Sequence, residues 1–184
     1  MRVFFITKNR GKLIEAKFIL GKYGIEVIPL NIEKLEIQHE DIEIIAIYSI
    51  KSIKGEKDPI FIEDDALYIN ALSGFPGPYA SYVYKTLGLN GVLKLLEGVK
   101  DRSAHFKSVV ALKKEDMIHV FTGVVKGRIS EDIRGKQGFG FDPIFIPEGY
   151  NITFAEMGLE EKCNISHRAK ALKKLATWLK NHKS

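Results

Sequence analysis

Three consecutive carboxylates, Glu63, Asp64 and Asp65, follow the apolar run PIFI in this 184-residue chain. In an extended backbone successive side chains alternate, so Glu63 and Asp65 point to one side and Asp64 to the other. Like charges packed this closely destabilise one another unless a cation relieves them. The triplet is therefore either a Mg²⁺ site, since Mg²⁺ takes one or two carboxylates together with waters and substrate phosphates, or a solvated turn at the end of a strand. Upstream, Glu36, Glu40, Asp41 and Glu43 add acidic candidates, most of which belong to the surface.

Three more segments carry reactive side chains. Thr7-Lys8-Asn9-Arg10-Gly11-Lys12 stands between a strand pattern and a helix pattern, where free backbone N–H groups and the positive end of a helix attract phosphate. Thr7 and Asn9 supply polar side chains, Gly11 permits close approach and Lys12 brings a full charge. The same letters also describe a polar turn that caps a helix. GxxxxGK[ST] is absent, so this is not a P-loop. In Gly138-Phe139-Gly140-Phe141-Asp142-Pro143 an aromatic between glycines either lies flat on a planar ligand, with Asp142 accepting hydrogen bonds, or plugs the core. Ser166, His167 and Arg168, after Lys162, enter the last helix and face a ligand, or Asn164 or Ser166 caps that helix.

The elements that must position these groups read as an α/β domain without repeats. The patterns predict strands over 3–6 and 27–30, a helix over 12–22 between them, and a helix across DIEIIAIYSIKSIKG. GFPGPYAS is a Gly/Pro loop leading into a helical region that ends near Glu97. Two β-rich runs, 105–112 and 118–129, flank KKEDM as a hairpin, and a short strand at 144–146 precedes the final helix after NISHR. Because the alternation is not a strict βα repeat, a mixed, elongated sheet is expected.

Composition narrows the partners. The chain is long enough for one domain with a sizeable core, and no run of roughly 18 apolar residues is present to cross a bilayer. Cys163 is the only cysteine, so no internal disulfide and no Cys-based metal site form within one chain, and a reducing cytoplasm is expected. A net charge of +5 suits a polyanion, either a nucleic acid or nucleotide phosphates. Lys170, Lys173, Lys174 and Lys180 read as the solvated face of a docked helix.

Taken in order, these segments resemble the inosine triphosphate pyrophosphatase family. The resembling residues are Thr7, Asn9, Lys12 and Glu15 in TKNRGKLIE, then EDDAL from Glu63, LSGFPGPYAS from Leu72, FGFDPIFIPEGY from Phe139, FAEM from Phe154 and EKCNISHRAKAL ending at Leu172. The resemblance spans essentially the whole chain. Ala66 stands where many members have Ser or Thr, and Phe141 where Trp or Tyr is frequent. It implies an elongated two-lobed α/β fold around a long mixed sheet, with a nucleotide cleft between the lobes, and a homodimer. It implies that water attacks the α-phosphorus of ITP, dITP or XTP and that pyrophosphate leaves. Thr7, Lys8, Asn9, Arg10, Gly11 and Lys12 would then hold the triphosphate, and Glu36 and Asp65 would bind Mg²⁺. Asp65 would also orient or deprotonate water, and with Lys12 it forms the catalytic pair. Ala66, Phe139, Gly140, Phe141, Asp142, Lys162, His167 and Arg168 would contact the rest of the substrate, with Arg168 or a backbone N–H near the helix start pairing with the 6-oxo group. No nucleic acid or membrane is expected as a partner. The nearest alternative, a Maf-type nucleotide pyrophosphatase, lacks SHR and FGFDP.

Overall fold

The computed structural model describes residues 1–182 apart from Glu56. Its frame is the hairpin of β5 (Ser103–Lys114) and β6 (Met117–Ile129), turned by Glu115 at a positive φ of 56°. β3 (Ile60–Ile69) pairs with β5 along its whole length, from Ile60↔Lys113 to Ile69↔Ala104. β1 (Arg2–Ile6) lies parallel to both β3 and β2 (Glu26–Leu30), and β7 (Phe145–Pro147) closes the far edge beside β6. A two-residue strand, β4 (Pro76–Gly77), also pairs with β3. The sheet is thus mixed, in the order β2-β1-β3-β5-β6-β7, as the irregular alternation of patterns predicted.

Helices cover it unevenly. α1 (Arg10–Gly21) and α6 (His167–Asn181) bury Ile19, Leu20, Leu172, Leu175 and Leu179 against Val3, Phe5, Phe61, Val110 and Leu112. On the opposite face α2 (Ile42–Lys51) packs Ile42, Ala46 and Ile50 on Ile60, Ile62, Val109 and Ala111. A third core lies at the other end of the hairpin. There Leu67, Ile69, Phe106, Val125 and Ile129 meet Phe141, Phe145 and Phe154, together with Val83 of α3 (Ala80–Thr86) and Val92 of α4 (Gly88–Leu95). No helix among the described residues is long and apolar enough to cross a membrane.

Two elements depart from the sequence reading. β3 does not end at the acidic triplet but continues through it to Ile69, because Leu67 and Ile69 are fully buried and the β5 ladder is unbroken across Glu63–Ala66. A short helix, α5 (Leu159–Ile165), precedes α6 where no helix was predicted. Its seven residues are too few to set up a readable 3.6-residue period.

The pairing leaves one gap. β1 reaches β3 only at Ile60 and Phe61, and β4 only at Leu67 and Tyr68, so between them β3 is bonded along its β5 edge alone. The acidic triplet sits in that gap.

Candidate active site

The odd-numbered side of β3 shows how the site is built into the sheet. Phe61 belongs to the core under α1 and α6, while Leu67 belongs to the core at the far end. Glu63 and Asp65 fall between the two. β5 repeats the pattern with Leu112 and Val110 on one side, Phe106 on the other, and Ser108 directly opposite Asp65. β6 places Gly123 opposite Ser108. A Cβ on Gly123 would lie 2.1 Å from the His167 carbonyl oxygen and 2.6 Å from the Ala171 nitrogen. The bare glycine is what lets the first turn of α6 lie flush across this polar stripe.

Over the stripe the ion pairs converge. Arg168, only 1% exposed, spreads its guanidinium over three carboxylates: Glu15 at 2.7 Å, Glu63 at 3.2 Å, and Asp65. Lys12 approaches Glu63 at 3.0 Å and Asp65 at 3.3 Å, and also donates to the Glu63 carbonyl oxygen at 3.2 Å. Lys162 bridges Glu15 at 2.7 Å and Asp142 at 2.5 Å. Ser108 donates to Glu63 at 2.6 Å. Buried charges persist only when so paired.

Their titration follows. Burial works against each charge, yet Arg168 and Lys162 hold Glu15 down at about 2. Arg168 and Lys12 likewise depress Glu63, and Lys12 and Arg168 depress Asp65. Lys12 is raised in spite of its burial, because Asp65 and Glu63 stand beside it. At Asp142 burial outweighs the Lys162 contact and the carboxyl is pushed up. Burial, helped by the Arg168 charge, pushes His167 well below its ordinary value, so its imidazole is neutral, stacked on Phe106 at 4.5 Å and with Nδ1 unpartnered.

Asn9 caps α1 by accepting from the Lys12 N–H at 3.1 Å, and Thr7 accepts from the Asn9 N–H at 3.1 Å. The turn reading holds for those two side chains, while Lys8 and Arg10 are exposed and Gly11 and Lys12 half-buried at the mouth of the gap. Phe139 is half-buried, with Lys162 4.9 Å and Arg168 5.1 Å from its ring centre. Its ring lies so close to Gly11 that a Cβ there would be 2.3 Å away. Phe141 instead plugs the far core, edge-on to Tyr84. Asp142 accepts from the Phe139 N–H at 2.7 Å, which fixes the turn that presents the ring, and Gly140 shapes that turn at a φ of 61°. Ser166, not Asn164, caps α6. Ala66 is fully buried in the core under α2, so its methyl offers nothing to a substrate and only its main chain borders the gap.

Glu36 pairs with Lys34. The segment between β2 and α2 is held at Leu35, whose carbonyl oxygen accepts from Ser49 Oγ at 2.7 Å and whose N–H donates to Ser52 Oγ at 3.1 Å. On this segment Lys34 reaches Asp64, on the other side of β3, as well as Glu36: Lys34 Nζ lies 2.8 Å from Asp64 and 3.5 Å from Glu36. The second oxygen of Asp64 is enclosed without a hydrogen-bond partner. Among the described residues no three acidic, His or Cys side chains come together in a group that could hold a metal ion.

The sequence reading did not name Ser108 or Lys34, and it gave Glu15 and Glu63 no role of their own within their motifs. Glu15 and Ser108 each carried a signal, a charge on the apolar stripe of α1 beside Ala16 and Ile19 and a polar residue at an inward position of β5. Glu63 was seen only as part of the triplet. Lys34, in an irregular segment, carried none.

The Ham1 family model matches residues 3–178. Over 181 residues the chain is 52% identical to a dITP/XTP pyrophosphatase of Pyrococcus horikoshii, covering 98% of this chain and 97% of that protein. It is 51% identical to a dITP/XTP pyrophosphatase of Methanopyrus kandleri over 184 residues, covering 99% and 98%. The Staphylococcus aureus Ham1 protein superposes with a TM-score of 0.83 at 28% identity, covering all of both chains. A Coxiella burnetii HAM1 protein gives 0.83 at 31%, covering 98% of this chain and 99% of that one.

Proposed function

The chain belongs to the Ham1 family, and from that premise we propose that it hydrolyses ITP, dITP and XTP to the nucleoside monophosphate and pyrophosphate. The observation that carries the reading is the gap in the β3 edge. On one side of it stand Asp64 and Glu36, and on the other Asp65 with Lys12, beneath a half-buried Phe139. A nucleotide laid through it would meet cations at its phosphates and an aromatic ring at its base.

Mg²⁺ fits Asp64 and Glu36 better than Glu36 and Asp65. The first two already share one ammonium and leave an oxygen of Asp64 without a partner. When bound there, the ion neutralises the triphosphate and polarises the reacting phosphoryl group. The remaining work belongs to side chains. Lys12 and the Thr7–Gly11 loop hold the phosphates. Asp65, kept ionised by Lys12 and Arg168, aims the attacking water in line with the leaving pyrophosphate and takes its proton as the new P–O bond forms. Phe139 stacks the base. Arg168 is committed to three carboxylates, so the 6-oxo group falls to the N–H groups of His167 and Arg168, which as the first two of α6 have no intrahelical partner. Adenine offers only a donor there, and unpaired donors cost about 1–3 kcal/mol. The enzyme works as a cytoplasmic homodimer, a state that sedimentation at micromolar concentration would check.

The test is product analysis of ITP with Mg²⁺. IMP and pyrophosphate are expected, whereas IDP and phosphate would reject the cleavage site.

A further inference from the structure

Lys34 occupies the space between the two carboxylates assigned to the metal. Its ammonium is 2.8 Å from Asp64 and 3.5 Å from Glu36, and its side chain is 17% exposed. Asp64 and Lys34 are the less exposed partners, and Glu36, at 73%, is the outermost. An ammonium and a divalent ion held by this one pair of carboxylates would lie only a few ångströms apart and repel. We propose that Lys34 is a tethered stand-in cation, which neutralises the acid pair in the nucleotide-free protein and must be displaced when the divalent metal binds. The inference rests on the reading of Asp64 and Glu36 as the metal-holding pair.

Two features of the chain suit this role. Leu35 is pinned on both sides of its peptide backbone by Ser49 and Ser52, so the main chain that carries Lys34 and Glu36 keeps its place when the ammonium leaves. Only the flexible four-carbon stem of Lys34 has to turn. The displaced charge stays tethered to the segment that carries Glu36. The acid pair is never left bare, which would be costly for the half-buried Asp64, and metal affinity is held down until substrate phosphates add their own oxygens.

The experiment measures Mn²⁺ binding to the nucleotide-free protein by the loss of the free-ion EPR signal. Lys34→Met and Lys34→Gln, which keep most of the stem and remove the charge, should bind Mn²⁺ about tenfold more tightly, equivalent to about 1.4 kcal/mol. Lys34→Arg should stay near wild type. Mn²⁺ should also raise the melting temperature of Lys34→Met by more than that of wild type, since the ion then relieves an uncompensated pair. Equal dissociation constants in wild type, Lys34→Met and Lys34→Gln would overturn the proposal. Adding Asp64→Asn separates the two ways of failing. If Mn²⁺ binding is lost with Asp64→Asn yet is indifferent to Lys34, the metal site stands and only the role of Lys34 falls. If binding survives Asp64→Asn in the Lys34→Met background, the site itself is elsewhere and both readings fall.

Discussion

Asp64 and Asp65 are neighbours in sequence with opposite surroundings, and replacing each by Asn should separate their duties. Asp64 faces Lys34 and Glu36, whereas Asp65 faces Lys12 and Arg168. Asp64→Asn should raise the Mg²⁺ concentration needed for half-maximal rate, because an amide is the weaker ligand for a hard cation. Asp65→Asn should lower kcat at saturating Mg²⁺ by two orders of magnitude or more, in the range expected when a positioned acid–base group is lost. Titrating Mg²⁺ in both variants checks this, and identical shifts would refute the division. The alternation of a strand was legible from the triplet alone, and the structure keeps Glu63 and Asp65 together and Asp64 apart. Which face Glu36 would join was not legible, since its position depends on Ser49 and Ser52, at the end of α2, gripping the main chain of Leu35 in an irregular segment. Arg168 shows the same limit. Its place at the start of the last helix, within the resembling segment EKCNISHRAKAL, marked it as a site residue, but its partner Glu15 lies 153 residues away.

At the scale of elements, the fit of α6 onto β6 hangs on one missing side chain. Gly123→Ala would drive a methyl into the His167 carbonyl and the Ala171 nitrogen, both backbone atoms of a helix that cannot yield locally. Overpacking of this kind costs about 1–3 kcal/mol, and here the displacement also lifts Arg168 from its carboxylates. We expect a lower urea midpoint together with a loss of ITP turnover larger than the stability change explains, measured well below the unfolding transition. Gly21→Ala is the control, since nothing lies within 4 Å of the added carbon. Strands, the hairpin and the two long helices were legible because their apolar periods are long. β3 was cut short because a carboxylate triplet reads as a terminus. Only the β5 ladder, which spans 10 residue pairs, explains why the strand carries on.

For the whole molecule, the buried network ties stability to pH on the acid side. Glu15 falls from 4.5 in the unfolded chain to about 2, and a depressed carboxyl stabilises the fold above its unfolded value and loses that contribution as pH drops through the folded one. At 1.36 kcal/mol per pK unit the loss is on the order of 3 kcal/mol between roughly pH 4.5 and 2, and Glu63 and Asp65 act in the same sense. His167 begins the decline earlier. Its folded value is well below 6.5, so below pH 6.5 the unfolded chain takes a proton that the buried imidazole refuses. Asp142 opposes the trend, because its raised value lets the folded state keep a proton longer than the unfolded chain does. One carboxyl against three, with His167 added to the three, leaves a net fall. Urea midpoints should therefore be level from about pH 7 to 9, decline gently below pH 6.5 and drop steeply below pH 4.5. Glu15→Gln discriminates the source. It should be less stable than wild type at pH 7, where Arg168 and Lys162 lose a charged partner, and should approach wild type near pH 3, where wild-type Glu15 is itself becoming protonated as the chain unfolds. A constant difference between the two proteins from pH 7 to pH 3 would show that Glu15 is not held ionised by the network.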